Sequence, residues 1–218
     1  MQVNGQAKRV PNFRMQRSAL RAAADPARSA ATWMCRGGGP TLGYDAAMFS
    51  HQYPVVVFFV QHIAYYRGLR ARFGEITAHR DFWRSTCDAH LKLATVSWCN
   101  VFGSYKEDLH WTKTPSAEVA DQAKDEFRQL ILCHTGLTQE TWQAYHTSML
   151  DFRDKYVAHL DLPPFAQPVP SFDPAIQTAY AYQEWARKLI RPVLLNQPTL
   201  ESAYAQWENE ARSAIESS

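Results

Sequence analysis

Within the segment DFRDKYVAHLD, Asp151 to Asp161, a guanidinium, a carboxylate and an imidazole fall inside seven residues: Arg153, Asp154 and His159. Imidazole is the side chain that moves protons near neutral pH, and a guanidinium fork binds oxyanions through paired N–H groups. An adjacent carboxylate orients either of them. Trp142, Tyr145, Met149, Phe152, Tyr156 and His159 are spaced three, four, three, four, three, which predicts one helical stripe facing a partner helix, with His159 its last member. In unbroken helix geometry Arg153 and His159 point about 120° apart, with alpha carbons roughly 9 Å apart. Asp151 and Lys155 are spaced as a helical ion pair worth a few tenths of a kcal/mol. The plain structural reading is that a histidine ending an apolar stripe packs in a core and that the arginine pairs with an acid.

Other chemistry-bearing residues are weaker candidates. Cys87 and His90 lie one turn apart with His79 on roughly their face, but three ligands without a fourth do not make a zinc site, and no metal or cofactor is expected. His110, in the polar loop from Ser104 to Pro115, can approach the Arg153 region from across the fold, while Trp111 reads as a loop residue folded onto the body. Tyr65, Tyr66, Trp83, Trp98 and Trp185 sit within helical patterns and read as packing.

The elements that must position these groups are helices. From Met48 onward apolar residues recur at three and four, and strict alternation over a strand length is scarce, so the fold class is all-α, a bundle of five to six helices. The first is predicted over Tyr53–Arg72 with Pro54 in its opening turn, and the second over Thr77–Phe102 with Gly103 as its cap. A third spans Ser116–His134 ahead of Gly136. Thr138 caps a fourth that runs to about His159. Pro163, Pro164, Pro168 and Pro170 forbid regular helix after it. Asp173 and Pro174 open a fifth to about Ile190, and Thr199 begins a sixth reaching Ile215.

On that helical background the residues RDKYVAH, Arg153 to His159, resemble the R-x(4–6)-H motif of the HEPN superfamily, in which an arginine, a polar residue and a histidine lie near the end of a late core helix. The likeness covers about 110 residues from Tyr53 to Asp161. It implies a metal-independent endoribonuclease or an RNA-binding relative, acting as a homodimer in toxin–antitoxin, phage-defence or RNA-processing settings, with an antitoxin or operon partner. It assigns His159 as general acid/base, Arg153 as phosphate clamp and Asp154 as orienting residue. Cleaving RNA through its own 2′-hydroxyl needs both a base and an acid, which one imidazole per chain does not readily supply and two copies do. The tyrosine that one toxin–antitoxin subgroup carries two residues after the histidine is replaced by Asp161, so that regulation is not implied. The alternative, from a different class, is a non-catalytic helical protein that dimerises or binds a partner through the seam around Tyr156 and His159.

Composition sets the frame. The chain has 218 residues, 46% of them hydrophobic, enough for one sizeable core. Residues 1–47 hold seven basic and two acidic side chains and end near an RGGGP run, which predicts a weakly ordered basic leader, read as a disordered tail, a start upstream of a true initiator at Met48, an arm for polyanions or an organelle transit segment. Residues 48–218, the expected helical domain, carry net −3, so charge alone does not mark the body as a nucleic-acid binder. Four cysteines without CxxC spacing, no secretory pattern and no apolar run of membrane-spanning length point to a cytoplasmic protein with free thiols and no membrane partner.

Overall fold

The computed structural model describes residues 43–158, 168–189 and 198–216. Among these the protein is all-α, with six α-helices and one isolated bridge between Tyr44 and Pro115. They are α1 (Ala46–Ala71), α2 (Arg80–Phe102), α3 (Ala120–Thr135), α4 (Gln139–Phe152), α5 (Asp173–Leu189) and α6 (Leu200–Glu216), with a π-helical turn, Arg153–Ala158, continuing α4. α1 is the central helix, packed between α2 and α6, while α3 packs on α5 and the π turn lies on α2. No described helix is long and apolar enough to cross a membrane.

Several boundaries move from their sequence positions for identifiable reasons. α1 starts seven residues earlier than Tyr53, because Asp45 caps it by accepting from the Met48 amide at 2.9 Å. Pro54 therefore sits inside the helix instead of its first turn. Residues 43–47 of the expected leader belong to the folded body, tied down by the Tyr44–Pro115 bridge and the Asp45 amide bond to the Thr114 carbonyl. Residues 1–42, the rest of that leader, lie outside the described residues. α2 begins at Arg80, after a 3₁₀ turn over Phe73–Glu75 and a left-handed His79 at φ 52°. The Thr138 cap is a full capping box with Thr141, and Gly136 closes α3 at φ 66°.

Trp98, Trp185, Tyr182, Phe59, Phe127 and Phe152 are fully buried at the centre. Trp111 is buried against Phe127 and Trp185, and so explains itself as packing. One polar node crosses this apolar interior. Gln52 donates to the His110 carbonyl at 2.8 Å and accepts from the Tyr182 hydroxyl at 2.9 Å and from the Thr114 hydroxyl. Burying these groups is tolerable because each meets a partner. Gln52→Leu strips three buried groups at once, and its expected cost of about 2–4 kcal/mol is read from the urea midpoint.

His62 and His110 bear on the acid limit of the fold. Burial pulls both imidazoles down to about 4, helped at His62 by His90 and at His110 by His146 and Lys113. Each binds a proton less readily folded than unfolded, so its contribution is complete above pH 6.5 and is lost as pH falls towards 4. At pH 5 the loss is about 2 kcal/mol for His110, before most carboxylates titrate. Unfolding midpoints between pH 7 and 5 should decline accordingly, and His110→Gln should flatten the slope whatever it costs at pH 7.

Candidate functional site

The stripe on α4 fixes the site's approach. Met149 and Phe152 are fully buried, and Trp142 and Tyr145 set their rings 6.3 Å from Trp98 of α2. Beyond Phe152 the α winding expected to reach His159 gives way to the π turn. Its wider coil keeps Tyr156 stacked on Phe152, with ring centroids 4.9 Å apart and planes 13° apart. The Tyr156 hydroxyl donates to Asp88 at 2.6 Å, and Lys92 both pairs with Asp88 at 2.8 Å and sits 5.4 Å over the Tyr156 ring. The bond to Asp88, and then burial, push the Tyr156 phenol up to about 12. Burial opposes charge on Asp88, but the bonds from Lys92 and Tyr156 outweigh it and hold the carboxyl below its usual range. π turns recur at functional sites, and here the turn is anchored to α2 by a specific polar triad.

Arg153 opens the turn and is half-buried. Its Nη1 donates to Glu107 at 3.0 Å and its Nε to the neighbouring Asp154 at 2.7 Å. The bond to Asp154 raises the arginine's pKa further, so the guanidinium is permanently charged. Asp154 thus orients the adjacent arginine. The Nη2 group makes no hydrogen bond among the described residues. One guanidinium between two carboxylates gives the cluster a net charge of −1, and the nearby Lys155–Asp151 and Lys92–Asp88 pairs, at 3.3 and 2.8 Å, add no excess. Cys99 lies buried behind the cluster, its thiol pushed up to about 12 by burial against the pull of Arg153, which makes it inert core.

His159 and Asp161 lie outside the described residues. The site's described part is therefore Arg153, Asp154 and the partner that sequence reasoning missed, Glu107. No local pattern reveals Glu107, because it reaches Arg153 from a loop 46 residues away. His110, the loop residue predicted to approach, instead turns inward. It is buried, with Nδ1 against the Thr112 hydroxyl at 2.7 Å, capping the short turn Trp111–Lys113.

The same loop serves a second place. Two residues before Glu107, Tyr105 is 70% exposed at a cleft of about 550 Å³ between the loop, α3 and α4, whose walls include Arg128, Trp142 and His146. His146 spends its Nε2 on the Phe102 and Gly103 carbonyls at 2.8 and 3.2 Å, reinforcing the end of α2. Gly103 is required there, since a Cβ would meet the Cys99 carbonyl oxygen at 2.3 Å. Of the cysteine–histidine set on α2, His90 instead meets His62, Nδ1 to Nδ1 at 2.6 Å, and His79 precedes the helix. No group of three metal-ligating side chains occurs among the described residues. Comparison of the whole chain with protein-family models, with curated proteins and with solved structures gives no match.

Proposed function

We propose that this chain is a HEPN-like RNA-directed protein whose site is formed by two copies, with His159 as general acid/base, Arg153 as phosphate clamp and Asp154 as the residue that orients Arg153. The observation that carries the reading is the posture of Arg153. A π turn presents it, two carboxylates fix its Nη1 and Nε, and its Nη2 makes no hydrogen bond among the described residues. A preoriented guanidinium stabilises charge developing on a phosphate without reorganising at the moment of reaction. The 2′-hydroxyl attacks the adjacent phosphorus as its proton passes to one imidazole, the P–O5′ bond breaks, and the second copy's imidazole protonates the departing 5′-oxygen. The products are a 2′,3′-cyclic phosphate and a 5′-hydroxyl. Incubation of the purified protein with RNA in EDTA should yield those ends, and His159→Ala should yield none. Intact RNA, or full cleavage by His159→Ala, removes the reading.

The net charge of −1 around Arg153 favours a second reading, a non-catalytic helical protein that binds a partner, antitoxin-like or operon-encoded, through the Tyr156 seam. An incoming phosphate has to compete with Glu107 and Asp154 for the guanidinium. Under this reading Arg153 clamps the loop to the π turn, and Arg153→Ala lowers stability in the absence of any RNA cleavage.

A further inference from the structure

α2 carries a row of exposed and half-buried residues, Thr86 and Asn100 being the half-buried ones, that faces away from the core. Phe82, Thr86, Ala89, Leu93, Val96 and Asn100 follow one another at spacings of four, three, four, three, four, the repeat of a coiled-coil seam. Phe82 is 63%, Leu93 43% and Val96 37% exposed, and the row contains no charged residue. It extends about 27 Å along the helix. Phe58 of α1, 42% exposed and edge-on to His62 at 3.9 Å, widens it where His62 meets His90. Apolar surface arranged in this way marks an interaction site.

We infer that this row docks against the same row of a second copy of the chain, with the two α2 helices antiparallel about position 91. The spacing reads the same in both directions, so an antiparallel copy brings every member into register. Ala89 then faces Leu93 of the second copy, Thr86 faces Val96, and Phe82 faces Asn100, so the larger side chain of the outer and inner levels meets a smaller one and the middle level pairs two β-branched residues of equal size. Antiparallel dipoles also attract where parallel ones repel. Asp88 and Lys92 border the row on the side of the π turn, and the twofold axis sets Asp88 of one copy within about 3 Å, measured along the helix, of the level of Lys92 in the other. The ion pair can therefore be exchanged between copies. The same axis leaves both π turns, which sit on Asp88 and Lys92, on one side of the interface.

The inference rests on α2 alone and not on chemistry at Arg153. It is tested on the full chain by sedimentation velocity over a micromolar concentration series, for the wild type, Leu93→Asp and Val96→Lys. Because these side chains are exposed, the variants should keep their circular dichroism, and the thermal midpoint should fall only by what association supplies. A wild-type dimer that both substitutions convert to monomer supports the pairing. A wild-type monomer overturns it, as when residues 1–42 cover the row, and so does a dimer indifferent to both substitutions. The register has its own readout: Phe82→Cys combined with Asn100→Cys should crosslink copies on oxidation, whereas crosslinking by Phe82→Cys alone overturns the antiparallel order. Dissociation by Leu93→Asp with no RNA cleavage by any form leaves the pairing standing and removes only the ribonuclease reading.

Discussion

Arg153→Lys should lower RNA cleavage by about 10²–10³-fold while leaving the thermal midpoint within a few degrees of wild type. Lysine keeps the positive charge and can satisfy either Glu107 or Asp154, so the ion cluster survives in part. It cannot present a planar fork whose Nε and Nη1 are held while Nη2 meets a phosphate. A charge-only role for Arg153 would tolerate the change. Glu107→Gln should act in the opposite direction on binding, because it removes one of the two carboxylates competing with phosphate and lifts the cluster from −1 to neutral. RNA affinity should then rise several-fold at low salt and converge with wild type as salt screens the site. Filter binding over a salt series, beside single-turnover cleavage, separates these two effects.

A large expected effect on stability lies at a helix crossing, at Gly68. α1 and α6 approach so closely there that a Cβ would stand 2.5 Å from the Glu208 carbonyl oxygen and 2.8 Å from the Ala211 Cβ. Backbone does not yield as a side-chain tip does, so α6 has to move. Gly68→Val should cost about 3 kcal/mol, the overpacking penalty outweighing the better helix propensity of a non-glycine residue. α6 should loosen first, since its hold on the body includes the Tyr65 bond to Glu210 and the small cluster of Leu69, Cys87 and Ala211. Faster amide exchange confined at first to residues 200–216 would show this. Gly74 is the control: a Cβ there meets nothing within 4 Å, and Gly74→Ala should change stability by less than about 0.5 kcal/mol.

Much of the helical order was legible in the sequence, because three-four periodicity and caps such as Thr138 and Gly136 are local signals. Boundaries differ where a strong local signal competes with a contact made elsewhere in the chain. Pro54 suggested a first turn, yet Asp45 starts α1 earlier through a cap that composition had assigned to the leader. The stripe from Trp142 to Tyr156 was visible, but the switch to π winding after Phe152 was not, since it depends on Tyr156 reaching Asp88 across to α2. Site partners followed the same rule. Asp154 is adjacent to Arg153 and could be named, whereas Glu107 meets it only after α2 and its loop have been folded into place. The His62–His90 contact joins helices 28 residues apart and carries no sequence signature.

Whether two copies of His159 act in one site is decided by subunit mixing. Wild-type protein and His159→Ala are combined at fixed total concentration, allowed to exchange subunits, and assayed for RNA cleavage in EDTA. If each site needs both imidazoles, activity falls with the square of the wild-type fraction, to about a quarter in an equal mixture. Activity that falls only in proportion, to about half, would mean that each chain cleaves with its own His159 and would contradict the two-copy site.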